Sequence, residues 1–91
     1  MRPFWKYRRF GLALILLSEG EAGFTDLKSR LALTDGNLAS HLLILEREDY
    51  IGLRKKFIGR KPHTTYFLTL KGHGALKSHI AALKEMLAAT A

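Results

Sequence analysis

The sequence predicts a mainly α-helical domain with a small β-hairpin, an α+β fold in the order helix, helix, helix, hairpin, helix. Two observations support this fold class. Apolar residues recur at helical spacing in the first half of the chain and again near its C-terminus. Between these regions, two segments rich in β-branched and aromatic residues flank a turn with glycine and proline. Because 91 residues suit one domain, we expect residues 1–91 to form a single unit.

The first two helices are predicted from apolar density and from signals at their ends. Dense apolar residues from about Phe4 to Ser18 indicate a mostly buried helix, and Gly20 follows at the position of a C-terminal cap. The segment FTDLKSRLAL predicts a short second helix with Thr25 as its N-cap. A tight turn then leads into a third helix.

The third helix is predicted to start after Thr34, whose hydroxyl suits an N-cap. At about 100° per residue, Leu38, Leu42 and Leu45 share one face of this helix. That face is therefore the one expected to pack on the core.

A hairpin and a last helix complete the chain. YIGLRKKF and TTYFLTL predict two strands, and Gly59 and Pro62 predict a loop between them. Thr69 is the predicted cap of the last helix, which carries a single apolar stripe. Two helices joined by a tight turn and followed by a basic hairpin make a winged helix-turn-helix.

The charge of the chain favours a polyanionic partner. Fifteen Lys and Arg residues against eight Asp and Glu residues give a net charge of +7. The bases concentrate near the N-terminus and between Tyr50 and Lys84, a stretch that contains no carboxylate. The acids gather from Glu19 to Asp49. Two basic segments around a mixed centre are typical of a nucleic-acid footprint.

Several function classes are not supported by the sequence. There is no cysteine, the four histidines lack ligand spacing, and no phosphate loop or activated nucleophile is visible. We therefore expect no enzyme activity, no cofactor and no metal. GLALILL after basic residues resembles a signal peptide, but the run is short and a poor cleavage site follows. With no apolar run long enough for a membrane span, a cytoplasmic protein is expected.

The outer face of the third helix is the candidate base-reading surface, because this face of a helix-turn-helix enters the major groove. Asn37 can pair with adenine through two hydrogen bonds, and Ser40 can donate or accept. A solvated polar face is the alternative interpretation. Packing is expected for Ile44 and is left open for Leu43. The predicted groove-side residues are Thr34, Asn37, Ser40 and Arg47.

The hairpin is the second candidate DNA surface. Basic side chains neutralise phosphates and release condensed counterions, which gives affinity independent of sequence. Arg60 and Lys61, beside Gly59 and Pro62, form a narrow basic tip that suits a minor groove. A solvated charged loop is the alternative. The predicted wing residues are Arg54, Lys55, Lys56, Arg60, Lys61, His63 and Thr64.

The segment GFTDLKSRLALTDGNLASHLLILE followed by KKFIGRKPHTTYFLTLKG resembles the short winged-helix transcriptional regulators related to the MarR and ArsR groups. The likeness runs from about Phe10 to Leu83. It implies a homodimer that binds operator-like double-stranded DNA, with the third helix in the major groove and the hairpin as wing. It also implies dimer contacts from the terminal helices, here Phe4, Trp5, Tyr7, Leu76, Ile80, Leu83 and Leu87.

This chain departs from the family pattern in its third helix. Ser40, Leu43 and Ile44 stand where Arg, Lys or polar residues are usual, and Asp49 replaces the usual glycine after the helix. We therefore expect the wing to supply much of the affinity and the helix to add selectivity. A protein-interaction module with Leu43 and Ile44 as its contact face is the main alternative, and an RNA-binding module is a third. Binding of an ordinary duplex at physiological salt distinguishes the DNA-binding regulator from the protein-interaction module, for which no such binding is expected.

Overall fold

The computed structural model describes residues 7–90, with side chains from residue 8 onward, and confirms the predicted order of elements. It adds a two-residue strand that the sequence did not predict. The predicted start of the first helix near Phe4 lies outside the described residues. The elements are α1 (Tyr7–Glu19), β1 (Ala22–Gly23), α2 (Phe24–Leu31), α3 (Asp35–Arg47), β2 (Ile51–Ile58), β3 (Lys61–Leu68) and α4 (Leu70–Thr90).

The core lies where the helices meet one face of the antiparallel sheet, whose strand order is β1-β3-β2. The predicted packing face of α3 is confirmed, because all three of its leucines are buried. Burying one leucine side chain contributes about 1.5–3 kcal/mol, so this cluster is the main source of stability. The buried residues are Leu12, Ala13, Leu16, Ala22, Leu27, Leu38, Leu42, Leu45, Ile51, Leu68 and Leu76.

The ends of the helices follow local chemistry at most positions. Gly20 ends α1 with a positive φ of 86°, and Thr34 Oγ1 accepts a hydrogen bond from the Asn37 backbone N–H at 3.1 Å. Both predicted caps are confirmed. The prediction for Thr25 is wrong, since α2 begins at Phe24 and Gly23 precedes it. Strand β1 pairs with β3 and leads directly into α2, so no residue with a capping side chain stands between them.

Two adjacent turns fasten the base of the hairpin to α3. Asp49 adopts a left-handed conformation with φ 62°, as expected where a glycine is usual. The Thr69 hydroxyl donates to the Asp49 carbonyl at 2.6 Å and accepts from the Gly72 N–H at 3.0 Å, which confirms Thr69 as a cap. A Cβ on Gly72 would lie 1.9 Å from the Tyr50 carbonyl oxygen. The hairpin therefore has a defined direction relative to α3.

The hairpin is longer and its turn tighter than predicted. Only Gly59 and Arg60 connect the strands, and Gly59 has φ 65°, as a type II′ turn requires. Pro62 was predicted in a loop but lies in β3 opposite Phe57. Hydrogen-bonded and non-hydrogen-bonded pairs alternate in an antiparallel hairpin, and the pair next to a two-residue turn, here Ile58 and Lys61, is hydrogen-bonded. Phe57 and Pro62 therefore form a non-hydrogen-bonded pair, and the Pro62 nitrogen faces the open edge of the sheet.

Candidate nucleic-acid interface

The outer face of α3 is exposed along its length. Asn37, Ser40 and Arg47 are all exposed, and Leu43 on the same side is 47% exposed, whereas Ile44 is half-buried. Within residues 8–90, neither the side-chain amide of Asn37 nor the hydroxyl of Ser40 has a protein hydrogen-bond partner. Both groups are therefore free to bond to a ligand.

The start of α3 carries one acid, and a base on α2 partly neutralises it. Asp35 Oδ1 lies 2.8 Å from Lys28 Nζ, which joins the two helices of the helix-turn-helix across their turn. The Thr34 hydroxyl oxygen is engaged in the cap, so its hydrogen is what remains for a ligand. The first turn of α3 therefore has donors and acceptors with little net repulsion toward phosphate.

The inner shoulder of α3 is tied to α1. Arg9 Nε donates to His41 Nδ1 at 3.0 Å. His41 is half-buried and serves the packing of the helices. Arg9 was not predicted to have this role, because nothing in the local sequence pattern shows that it reaches a residue 32 positions away.

The wing, residues 51–68, has two faces that alternate along each strand. Ala22, Tyr66 and Leu53 form one row across the three strands, on the side that continues the core. Burial raises the pKa of Tyr66, and the Glu46 carboxylate adds to this effect.

The predicted basic residues of the wing divide into two groups. Lys55, Arg60 and Lys61 are exposed and have no ion pair within the part of the chain that the structure describes. Arg54 Nη1 lies 2.7 Å from Glu21 Oε2, and Lys56 Nζ contacts Glu21 Oε1. The sequence pattern did not predict this carboxylate beside the wing, because it arrives from the segment before β1.

Glu21 is electrostatically stabilised by its two partners. The hydrogen bond from Lys56 is the largest influence and lowers the pKa of Glu21 below its ordinary value, with further lowering from the charges of Lys56 and Arg54. Partial burial opposes this shift but does not cancel it. Glu21 is therefore ionised near neutral pH.

Arg54 is held by a second contact. Its guanidinium carbon lies 4.7 Å from the centroid of the Phe67 ring. That ring lies over Gly52, where an added Cβ would be 2.6 Å from Phe67 Cζ. A cation over an aromatic face gains electrostatic stabilisation. Arg54 is thus positioned between a ring and a carboxylate, whereas Arg60 and Lys61 at the tip have no such contact within residues 8–90.

The last two predicted wing residues lie on β3. His63 is exposed and Thr64 is half-buried, and both line an open cleft of about 560 Å³ beside the N-terminus of α2. The predicted wing residues thus share one ribbon, but they do not share one environment.

The predicted dimer surface is only partly available. Leu76 is fully buried in the core of its own chain, which corrects its assignment to the dimer surface. The first half of α4 packs on α1, where the Phe10 and His79 rings meet edge to face at 5.1 Å. Ile80 and Leu83 are half-buried and Leu87 is 71% exposed. Phe4, Trp5 and the Tyr7 side chain lie outside the described part of the chain.

No helix in residues 7–90 is long and apolar enough to cross a membrane. No group of three or more His, Asp or Glu side chains in residues 8–90 is arranged to hold a metal ion.

The model of the winged-helix DNA-binding domain family matches residues 9–87. The chain belongs to this family. It is also 36% identical over 86 residues to an uncharacterized protein of Methanocaldococcus jannaschii, with 94% of each chain covered. The match to the family model confirms the winged helix-turn-helix prediction.

Solved structures share the whole fold. A transcriptional regulator homologue from Pyrococcus horikoshii OT3 is 30% identical with a TM-score of 0.88, over 97% of this chain and 87% of that one. Reduced HlyU from Vibrio cholerae is 25% identical with a TM-score of 0.69, over 82% and 75%. PadR of Bacillus subtilis in complex with operator DNA has a TM-score of 0.72 at 20% identity, over 82% and 47%. The predicted resemblance to winged-helix transcriptional regulators is confirmed.

Proposed function

We propose that the chain is a single-domain transcriptional regulator that binds double-stranded DNA selectively as a homodimer, with α3 in the major groove and the wing on the backbone and minor groove. The observation that carries the proposal is the exposed outer face of α3 beside the tip of the wing. Within residues 8–90, the Asn37 and Ser40 side chains have no hydrogen-bond partner, and Arg60 and Lys61 have no ion pair. Membership of a DNA-binding family supports the partner class.

In this proposal α3 supplies base selectivity. Asn37 is in the first turn, the part of such a helix that lies nearest the base edges, and its amide pairs with adenine N6 and N7. Ser40 is one turn further along and tolerates either a donor or an acceptor. Arg47 lies near the end of α3 and is assigned to a phosphate.

The wing supplies affinity that is independent of sequence. Lys55, Arg60 and Lys61 have no protein anion to displace within the described residues, so each can neutralise a phosphate directly. Each such contact releases condensed counterions and makes binding weaker at high salt. The tight turn at Gly59 and Arg60 keeps the tip narrow enough for a minor groove.

The C-terminal half of α4 is the proposed dimer surface. Met86 and Leu87 are 65% and 71% exposed, an apolar pair that a second copy would cover. A small domain without disulfides gains stability from such an interface. A two-fold dimer would also place two α3 helices on successive major grooves.

Selection of duplexes from a random pool tests this function. We expect a two-fold symmetric site whose half-sites are about 34–36 Å apart, the distance of one helical turn. A preferred single half-site would contradict the dimer. Absence of duplex binding at physiological salt would overturn the function and support the protein-interaction module.

A charge placed on α4 tests the dimer separately. We expect Leu87→Glu to shift the protein to monomers in sedimentation and to weaken binding to the symmetric site. Ser78→Glu, an equal charge change at an exposed position in the first half of α4, is the matched control and should remain dimeric. Equal behaviour of the two variants would remove the end of α4 from the interface.

A further inference from the structure

Glu21 and two wing bases lie on the same side of the sheet. Ala22 is buried and faces the core, and side chains alternate along a strand, so the preceding residue projects on the opposite side. In β2, Leu53 shares the row of Ala22, and Arg54 and Lys56 therefore project away from the core as Glu21 does. Arg54 and Lys56 follow Glu21 by 33 and 35 positions in the chain, and folding brings them together.

The contact is more than a single exposed ion pair. One carboxylate engages both bases, one oxygen each, and the Glu21 side chain is only 27% exposed. Isolated surface pairs contribute little, whereas a shared carboxylate forms a network whose members order one another. Arg54 is further restrained by the Phe67 ring at 4.7 Å.

We propose that Glu21 is a positioning residue of the wing that holds Arg54 and Lys56 back from DNA phosphates and so limits the sequence-independent affinity of the wing. This inference rests on the proposed function. A phosphate contact contributes equally to specific and non-specific duplexes, so holding these bases back lowers both affinities and leaves their ratio unchanged. Each base that Glu21 holds makes one phosphate contact fewer, and any duplex would offer that contact. The contacts of Asn37 and Ser40 with the bases are unchanged.

The test is duplex binding of wild type and Glu21→Gln over a range of salt concentrations, with the selected site and a scrambled duplex. The glutamine keeps the size of the side chain and removes its charge. We expect the affinity of Glu21→Gln to rise at least about threefold for the scrambled duplex and by the same factor for the selected site. We expect its salt slope to steepen by about 0.9 for each new phosphate contact, or about 1.8 if both bases bind.

Two controls separate release of the bases from a simple change in net charge. Glu48→Gln removes the same charge from a carboxylate that has no ion pair within residues 8–90, and its salt slope should equal that of wild type. Arg54→Gln/Lys56→Gln should have little effect on the slope in the wild-type background. The same pair of changes should abolish the gain in the Glu21→Gln background.

The possible failures are distinguishable. If wild type binds no duplex, the proposed function fails. If wild type binds but Glu21→Gln leaves the slope unchanged, or Glu48→Gln steepens it equally, the inference about Glu21 is wrong. Weaker binding by Glu21→Gln would also overturn it, because Glu21 would then aim Arg54 and Lys56 at the DNA.

Discussion

The outer face of α3 and the wing are both exposed, but they are supported in different ways. Behind the outer face of α3 stand Leu38, Leu42 and Leu45, which are 0%, 4% and 0% exposed. In β2 only Ile51, at the base of the wing, is buried, and the strand is exposed from Leu53 to its end. A packed core holds α3 in place, whereas the far half of the wing relies on its backbone ladder and turn.

The difference matches the accuracy that each contact needs. A bidentate hydrogen bond to a base requires a side chain held in a fixed position, and α3 offers uncharged groups on a rigid helix. Phosphate neutralisation tolerates variation in position, and the wing offers charges on a projecting ribbon. In the proposed function, selectivity and affinity are thus divided between two elements.

The largest expected effect concerns stability. Leu38→Ala should lower the free energy of unfolding by about 2–5 kcal/mol, because it leaves a cavity behind α3. Leu53→Ala, a chemically equal change in the wing, should cost much less, since Leu53 is 44% exposed. Denaturant melts of both variants provide the comparison. Equal losses would show that the wing is as firmly packed as α3.

A smaller effect is expected for base reading. Asn37→Ala should weaken binding to the selected duplex by about 1–3 kcal/mol, the usual contribution of a bidentate base contact. The penalty should disappear on a duplex in which the contacted adenine pair is replaced. A penalty that persists on every duplex would place Asn37 at the backbone instead.

The smallest expected effect concerns the pKa of Glu21. Its pKa should lie below the usual range for a glutamate, because Lys56 and Arg54 stabilise the carboxylate. The depressed value means that this ion-pair stabilisation is present near neutral pH and is lost as the pH falls through the pKa of the folded state. NMR titration should show the midpoint rising in Lys56→Gln. An unchanged midpoint would show that Lys56 does not contact Glu21 in solution.

Local patterns predicted the parts of the fold that depend on neighbours in sequence. The spacing of the α3 leucines indicated their common burial, and the Thr34 and Thr69 hydroxyls indicated helix starts. These features follow from helical periodicity and from the need to cap the unpaired N–H groups of a first turn. Both signals can be recognised from residues that are close together in sequence.

The features that sequence analysis missed depend on long-range contacts. The apolar stripe of α4 is continuous in sequence, yet Leu76 packs inside the chain while Leu87 is exposed. That division depends on where α1 crosses α4. Likewise, the pairing of Glu21 with Arg54 and Lys56 requires β1 to join the sheet, and a two-residue strand has no recognisable pattern.

The most direct test of the division between α3 and the wing is the specificity ratio, the affinity for the selected duplex divided by that for a scrambled one. For Arg60→Gln/Lys61→Gln we expect both affinities to fall together, the ratio to stay constant, and the salt slope to drop by about 0.9 per lost phosphate contact. For Asn37→Ala we expect a lower ratio at an unchanged slope. A wing variant that lowers the ratio, or an Asn37 variant that weakens both duplexes equally, would contradict the account.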